Sequence, residues 1–433
     1  MRISTSQIYE SGTVNIQRNQ SALYKLQNQL STGRRVLTPE DDPVAAAQAL
    51  LVTQSREVTA QHMENQGNAD SQLGLVDSQL SSLGDLLQHV REKVIQAGNT
   101  ATLSNTDRQA IATELEARLS EMLGIANTQN GTGEFLFSGY QGGTRPFAID
   151  ASVAALPPAS TSPVGYFGDD GERLLQVSSS RQMAVNVAGS EVFMQAKNGN
   201  GTFAVATGGN LGGGNNQGTA ISDAGSVLDP QKWALAVNNP LAGQPLEIRF
   251  SVVAGVTTYG VYDPVSAVTT GPLAFTPGQA IPLLTSAGVD FGSQLVVQGA
   301  PANDDTFSVT PSSNQSLFQT MQNLIGILRS PVGSATYSTT EYTNALGGQL
   351  TNLDQAFGNI SRVQASVGTR MRELDSLGDT SSDLNVQHQQ TLSKLQDLDY
   401  AKAISEFTQQ QVQLEAAQKS FVQVSGLSLF NYL

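Results

Sequence analysis

The sequence predicts an α + β multidomain protein: a long antiparallel helical bundle or coiled coil formed by its N- and C-terminal flanks, with a β-rich domain inserted in the middle. Three observations carry this. Near the C-terminus, Tyr400, Phe407, Leu414 and Phe421 fall seven residues apart, with Ala403, Ile404, Ala417 and Val424 on the intermediate turns. Near the N-terminus, Ile16, Leu23, Leu30 and Leu37 repeat the same spacing, with Leu26 between them on an otherwise polar helix. Between these flanks the apolar period falls towards two, in a stretch rich in Gly, Ser, Thr, Val and Pro.

The elements follow in chain order. Residues 1–43 read as a terminal assembly helix closed by an elbow, LSTGRRVLTPEDDPV. Gly33 stops the first helix, Asp42 caps the next, and Pro43 occupies its first position. Residues 44–139 read as a helical bundle, with Leu73, Val76, Leu80, Leu83, Leu87, Val90 and Val94 as one unbroken stripe. A third helix is expected to be capped by Thr106 with Gln109 completing a capping box. Residues 140–310 are expected to be β-rich, with strands at Leu246–Val252 and Thr306–Val309 and turns such as Gly168–Gly171. The Gly/Asn tract from Gly208 to Asn216 is expected to be a surface loop. Helix returns over 311–380, through Phe318, Met321, Ile325 and Leu328 and then a longer run from Leu346 to Leu374. The pattern loosens from Gly378 to Asp383, and residues 381–433 form the C-terminal assembly helix.

Composition excludes several function classes. The 433 residues carry 23 Lys and Arg against 37 Asp and Glu, a net charge of −14. That balance opposes a sequence-independent grip on nucleic acid or an anionic membrane. Arg2, Arg18, Lys25, Arg34 and Arg35 make the N-terminal stretch locally basic, which reads as a solvated helix face. There is no cysteine, hence no disulfide or thiolate metal site. His62, His89 and His388 have no second ligand at metal spacing, and His62 and His89 are expected to face solvent. Asp169/Asp170 and Asp304/Asp305 read as polar turns. No nucleophile elbow, phosphate loop or dinucleotide fingerprint occurs. The expectation is a non-enzyme without cofactor, metal or catalytic residue. The first residues lack the pattern of a cleavable signal peptide and no apolar run is long enough to span a membrane.

A polar, Gln-rich helix with five apolar residues cannot hold itself in order alone. Both ends are therefore expected to be loosely ordered in the monomer and to fold on assembly.

The residues also carry a resemblance. LSTGRRVLTPEDDPVAA (Leu30–Ala46), GEFLFSGYQGGTRPF (Gly133–Phe147), DLDYAKAISEF (Asp397–Phe407) and the ending LSLFNYL (Leu427–Leu433) resemble, in order, the motifs of the bacterial flagellin superfamily. The wording is most similar to its hook–filament junction members. The resemblance implies a structural flagellar protein, exported unfolded by the flagellar type III system and located outside the cell. It implies a homo-oligomeric ring, with hook-associated protein 1 on one side, flagellin on the other, and an export chaperone masking the C-terminal helix before export. The residues expected at the assembly interface are Ile16, Leu23, Leu26, Leu30, Leu37, Tyr400, Ile404, Phe407, Leu414, Phe421 and Val424, with Gly33, Asp42 and Pro43 setting the elbow. Rival readings are a bulk flagellin or a secreted adhesin or carbohydrate-binding module on a helical stalk. The LSLFNYL ending and the double-proline elbow oppose the first, and a middle with Trp233 as its only tryptophan opposes the second.

Overall fold

Helix dominates the computed structural model because apolar residues at three- and four-residue spacing find partners on other helices. The structure describes residues 5–99, 103–149, 164–237, 246–264, 267–284, 289–334 and 337–426. The helices are α1 (Thr5–Thr32), α2 (Pro43–Ala97), α3 (Asn105–Ala126), α4 (Gly189–Phe193), α5 (Pro230–Val237), α6 (Leu317–Arg329), α7 (Thr339–Gln396) and α8 (Tyr400–Gly426). Helical flanks enclose a β-rich middle, the predicted fold class. The LSLFNYL ending lies outside the described residues.

The chain forms two compact units: Met1–Gly67 with Gln176–Arg181 and Asp375–Leu433, and Asn68–Leu175 with Gln182–Leu374. In the first, α1 packs along α8, and the early part of α2 runs beside the late part of α7. Gln66 donates one amide to the Ser381 hydroxyl at 3.1 Å and to the Val177 carbonyl at 2.7 Å. This buried network explains why α7 continues through Gly378–Asp383, where low helix propensity predicts loosening: tertiary hydrogen bonding outweighs a weak local preference. The chain breaks instead at 397–399, between α7 and α8.

In the second unit, the predicted stripe from Leu73 to Val94 is fully buried, as are Leu353, Ile360, Val367 and Leu374 of α7. The two helices run antiparallel, joined by Arg91 to Asp354 at 2.7 Å and by Gln364 to Asp77 at 3.1 Å. α3 completes the bundle through Ile111, Leu115 and Met122. Its cap is Ser104 rather than Thr106, and the capping box closes on Asp107 rather than Gln109. Ser104 and Asp107 exchange both reciprocal hydrogen bonds, which fixes the helix start two residues earlier. His62 departs from the expectation, whereas His89 keeps 36% of its side chain exposed. His89 pairs with Glu114 at 2.8 Å, and both ring nitrogens of His62 are shut off from solvent.

Among the described residues the β part holds two larger antiparallel sheets and three two-stranded pairs, 147–149 with 164–166, 174–178 with 181–184, and 196–197 with 314–315. The larger has the strand order 268–269, 256–263, 246–253, 305–311, 203–210, with 273–274 also on 256–263. The two strands expected from sequence are neighbours in it, with Thr306 opposite Arg249 and Val309 opposite Leu246. The second sheet pairs 280–284, 221–222 and 226–227 with 290–298. Phe203, Trp233, Phe250, Phe291 and Phe307 fill the core shared with these strands, so Trp233 is a core residue beside Phe203 at 5.0 Å. The Gly/Asn tract is more ordered than a free loop. Its first residues, Gly208–Asn210, extend the 203–210 strand, and Asn216 exchanges hydrogen bonds with the Thr306 backbone at 2.8 and 3.1 Å.

Candidate assembly site

The terminal helices supply the site. α1 and α8 run antiparallel within the first unit: the Tyr9 ring meets the Phe421 ring edge-on at 5.9 Å, and Gln410 donates to Asn19 at 3.2 Å. Gly12 permits this approach, since a Cβ there would stand 2.6 Å from the Phe421 ring.

The predicted interface residues separate into two sets. Ile16, Leu23, Leu26, Leu30, Leu37, Phe407, Leu414 and Phe421 are half-buried. Ala403 is buried at 2% exposure. Tyr400, Ile404 and Val424 are instead exposed, at 52%, 54% and 45%. Val412 and Val422 on α8 and Tyr24 on α1 join them, although no seven-residue pattern singles them out. These exposed apolar side chains lie along both flanks of the α8 seam and on α1, where they are open to contact with another protein.

At the elbow, α1 ends at Thr32 and Gly33 takes φ +70°, the left-handed conformation that glycine adopts without steric cost. A Cβ on Gly33 would also stand 2.8 Å from the Tyr400 hydroxyl oxygen. Asp42 caps α2 by accepting from the Ala45 amide at 3.0 Å, and Pro43 is the first helical residue. All three elbow residues occupy the places their chemistry predicts.

The local sequence pattern does not reveal that this elbow is bonded to a second one. The Arg35 amide donates to the Gln396 carbonyl at 2.7 Å and the Leu398 amide to the Gly33 carbonyl at 2.9 Å. The Arg35 guanidinium reaches the Leu395 carbonyl at 2.9 Å and Asp42 at 3.2 Å. The Gln29 amide secures the Arg35 carbonyl at 2.6 Å. Asp399 caps α8 through the Lys402 amide at 3.1 Å. An aspartate just before Tyr400 is the one sequence signal that marks this second corner. Lys25 and Arg35, expected as a solvated basic face, are engaged here: Lys25 pairs with Asp41 at 2.6 Å.

Asp41 also accepts from the Leu37 and Thr38 amides at 3.0 and 3.1 Å. The Lys25 hydrogen bond, with help from these amides, lowers its pKa to about 2. Asp42 is lowered by the Ala45 amide first and Arg35 second. Both pKa values are depressed on folding, so the stabilisation is fully present above the ordinary aspartate value of 3.8. It is lost as pH falls towards about 2 for Asp41. Asp41→Asn is therefore expected to melt below the wild type at neutral pH, with the gap closing on acidification between those two values. A gap independent of pH would exclude the ionised carboxylate as its source.

The arrangement offers surface and shape rather than reactive groups. No group of three potential metal ligands occurs among the described residues. No helix among them is long and apolar enough to cross a membrane.

Comparison with known proteins follows this geometry. The bacterial flagellin N-terminal helical region matches residues 3–142, and the bacterial flagellin C-terminal helical region matches residues 350–433. Flagellar hook-associated protein 3 of Escherichia coli K12 is 24% identical over 430 residues, and that of Salmonella typhimurium is 25% identical over 430; both alignments cover 99% of each chain. The crystal structure of flagellar hook-associated protein 3 from Legionella pneumophila superposes with a TM-score of 0.68 at 29% identity, covering 80% of this chain and 98% of that one.

Proposed function

The chain belongs to the hook-associated protein 3 family of the bacterial flagellin superfamily, and from this we propose that it is a structural subunit joining the flagellar hook to the flagellin filament. The observation that carries the reading is the terminal helix pair, which leaves Tyr400, Ile404 and Val424 uncovered while its two corners are bonded together. A subunit whose partners sit above and below it needs such an unfilled apolar surface at its ends.

The chain is a flagellar component, and its partners are other flagellar components. More finely, we infer a ring of identical subunits, hook-associated protein 1 on the hook side and flagellin on the filament side. A chaperone covering α8 before export accounts for a helix this apolar in a protein that must stay soluble beforehand. We propose that the subunit works outside the cell, as part of the flagellum. Residues 1–43 and 381–433 act as assembly helices, 44–139 and 311–380 as the surrounding bundle, and 140–310 as the outward part. The role is mechanical, with no catalysis, cofactor, nucleic acid or membrane in it.

Half-burial along α1 and α8 supports folding on assembly, because much of their apolar area is still exposed to water in one chain. Amide hydrogen exchange on the isolated monomer is expected to be fast over α1 and α8 and slow over residues 73–94 of α2. Equal, strong protection of all three would contradict it.

A further inference from the structure

We propose that the two crossings between the terminal helices and the long ones close as a single clasp, so that α1 and α8 become ordered together. The use of such a device rests on the assembly reading, in which both helices are presented at once.

The chain crosses at 33–42, between α1 and α2, and again at 397–399, between α7 and α8. Arg34 and Asp397 face each other there as an isolated antiparallel pair. The bond from the Arg35 amide to Gln396 lies on one side of that pair, and the bond from the Leu398 amide to Gly33 on the other. This is the non-hydrogen-bonded type of antiparallel pair, in which Cα atoms approach to about 4.5 Å.

Each helix end at the clasp depends on a group from another helix end. No glycine lies between the end of α7 and Tyr400, so the last α7 carbonyls lack the usual backbone cap. Instead the Leu395 carbonyl accepts from the Arg35 guanidinium at 2.9 Å and the Gln396 carbonyl from the Arg35 amide at 2.7 Å. The same guanidinium reaches Asp42, the cap of α2, and the Arg35 carbonyl accepts from Gln29 of α1. One residue thus joins three helix ends. The fourth belongs to α8, which follows Leu398, whose amide the Gly33 carbonyl holds at 2.9 Å. If α1 melts, the end of α7 loses both donors and Leu398 loses its acceptor, which releases the start of α8.

The clasp is too weak to act by itself. The Arg35–Asp42 pair has 46% and 32% of its side chains exposed, and pairs so open to water add little. A ladder of two main-chain bonds is likewise too short to persist alone. It closes only while the helices on both sides hold their ends in place, and that condition is what couples them.

The test is amide hydrogen exchange on the full-length monomer carrying Arg34→Cys/Asp397→Cys. The pair spacing lies within the roughly 4.4–6.8 Å that a disulfide spans, and the chain has no other cysteine. Both positions lie outside α1 and α8, so the packing between those helices is untouched. Oxidation should slow exchange about tenfold or more along both helices, relative to the reduced protein, with residues 73–94 unchanged. Arg35→Pro, which removes both donors to α7 and suits extended backbone at Arg34, should instead speed exchange in both helices together. Slowing confined to the residues beside the disulfide, slowing of one helix without the other, or failure of the disulfide to form would overturn the proposal. If Arg35→Pro exposes residues 73–94 as well, the oxidised–reduced comparison alone decides. Strong protection of α1 and α8 in the wild type would count against folding on assembly and leave that comparison intact, so the two readings fail separately.

Discussion

Gly33→Val is expected to open the corner between α1 and α2 and to abolish incorporation of the subunit. Two costs combine. The native φ of +70° is left-handed, which costs a β-branched residue roughly 1–2 kcal/mol or more. The added Cβ would also displace the Tyr400 hydroxyl, since it would stand only 2.8 Å away. Moving Tyr400 disturbs the start of α8, and shifting Gly33 breaks its carbonyl's bond to Leu398. Both corners should therefore loosen together. The measurement is complementation of a deletion strain, read as swimming and as subunit recovered with purified hook–filament particles. Wild-type recovery would show that the bonded corners are dispensable.

The double variant Ile404→Asp/Val424→Asp should separate assembly from stability. Both side chains are exposed in the single chain, so the monomer should keep its melting transition to within about 0.5 kcal/mol. In the assembled ring, burying two unpaired carboxylates costs far more, and incorporation should fail. Calorimetry on the monomer and particle purification from the complemented strain read the two halves separately. A variant that still assembles would remove these two positions of α8 from the interface.

These expectations rest on features of unequal legibility in the sequence. The long helices were legible because Leu73 to Val94 and Leu346 to Leu374 repeat every three or four residues, a signal that survives any tertiary arrangement. The elbow was legible because Gly33, Asp42 and Pro43 each act through local backbone chemistry. The second corner was not: Arg35 bonds to Leu395 and Gln396, and a contact so distant in sequence leaves no period to detect. The same holds for His89, whose polar neighbours suggest solvent although Glu114 of α3 reaches it. At Gly378–Asp383 the weak local helix preference is overridden by the Gln66–Ser381 network, and α7 runs through unbroken. In the middle, alternation revealed the strands around Ile248 and Phe307 but not which sheet edge stays open, because strand order is set by pairing between remote segments.

The central claim is that this chain holds the filament on the hook, and the most direct measurement is made on cells lacking it. Hooks should remain on such cells while monomeric flagellin accumulates in the medium, with no attached filaments and no swimming. Filaments that stay attached and elongate normally would contradict the account and make the chain an accessory flagellin or an adhesin.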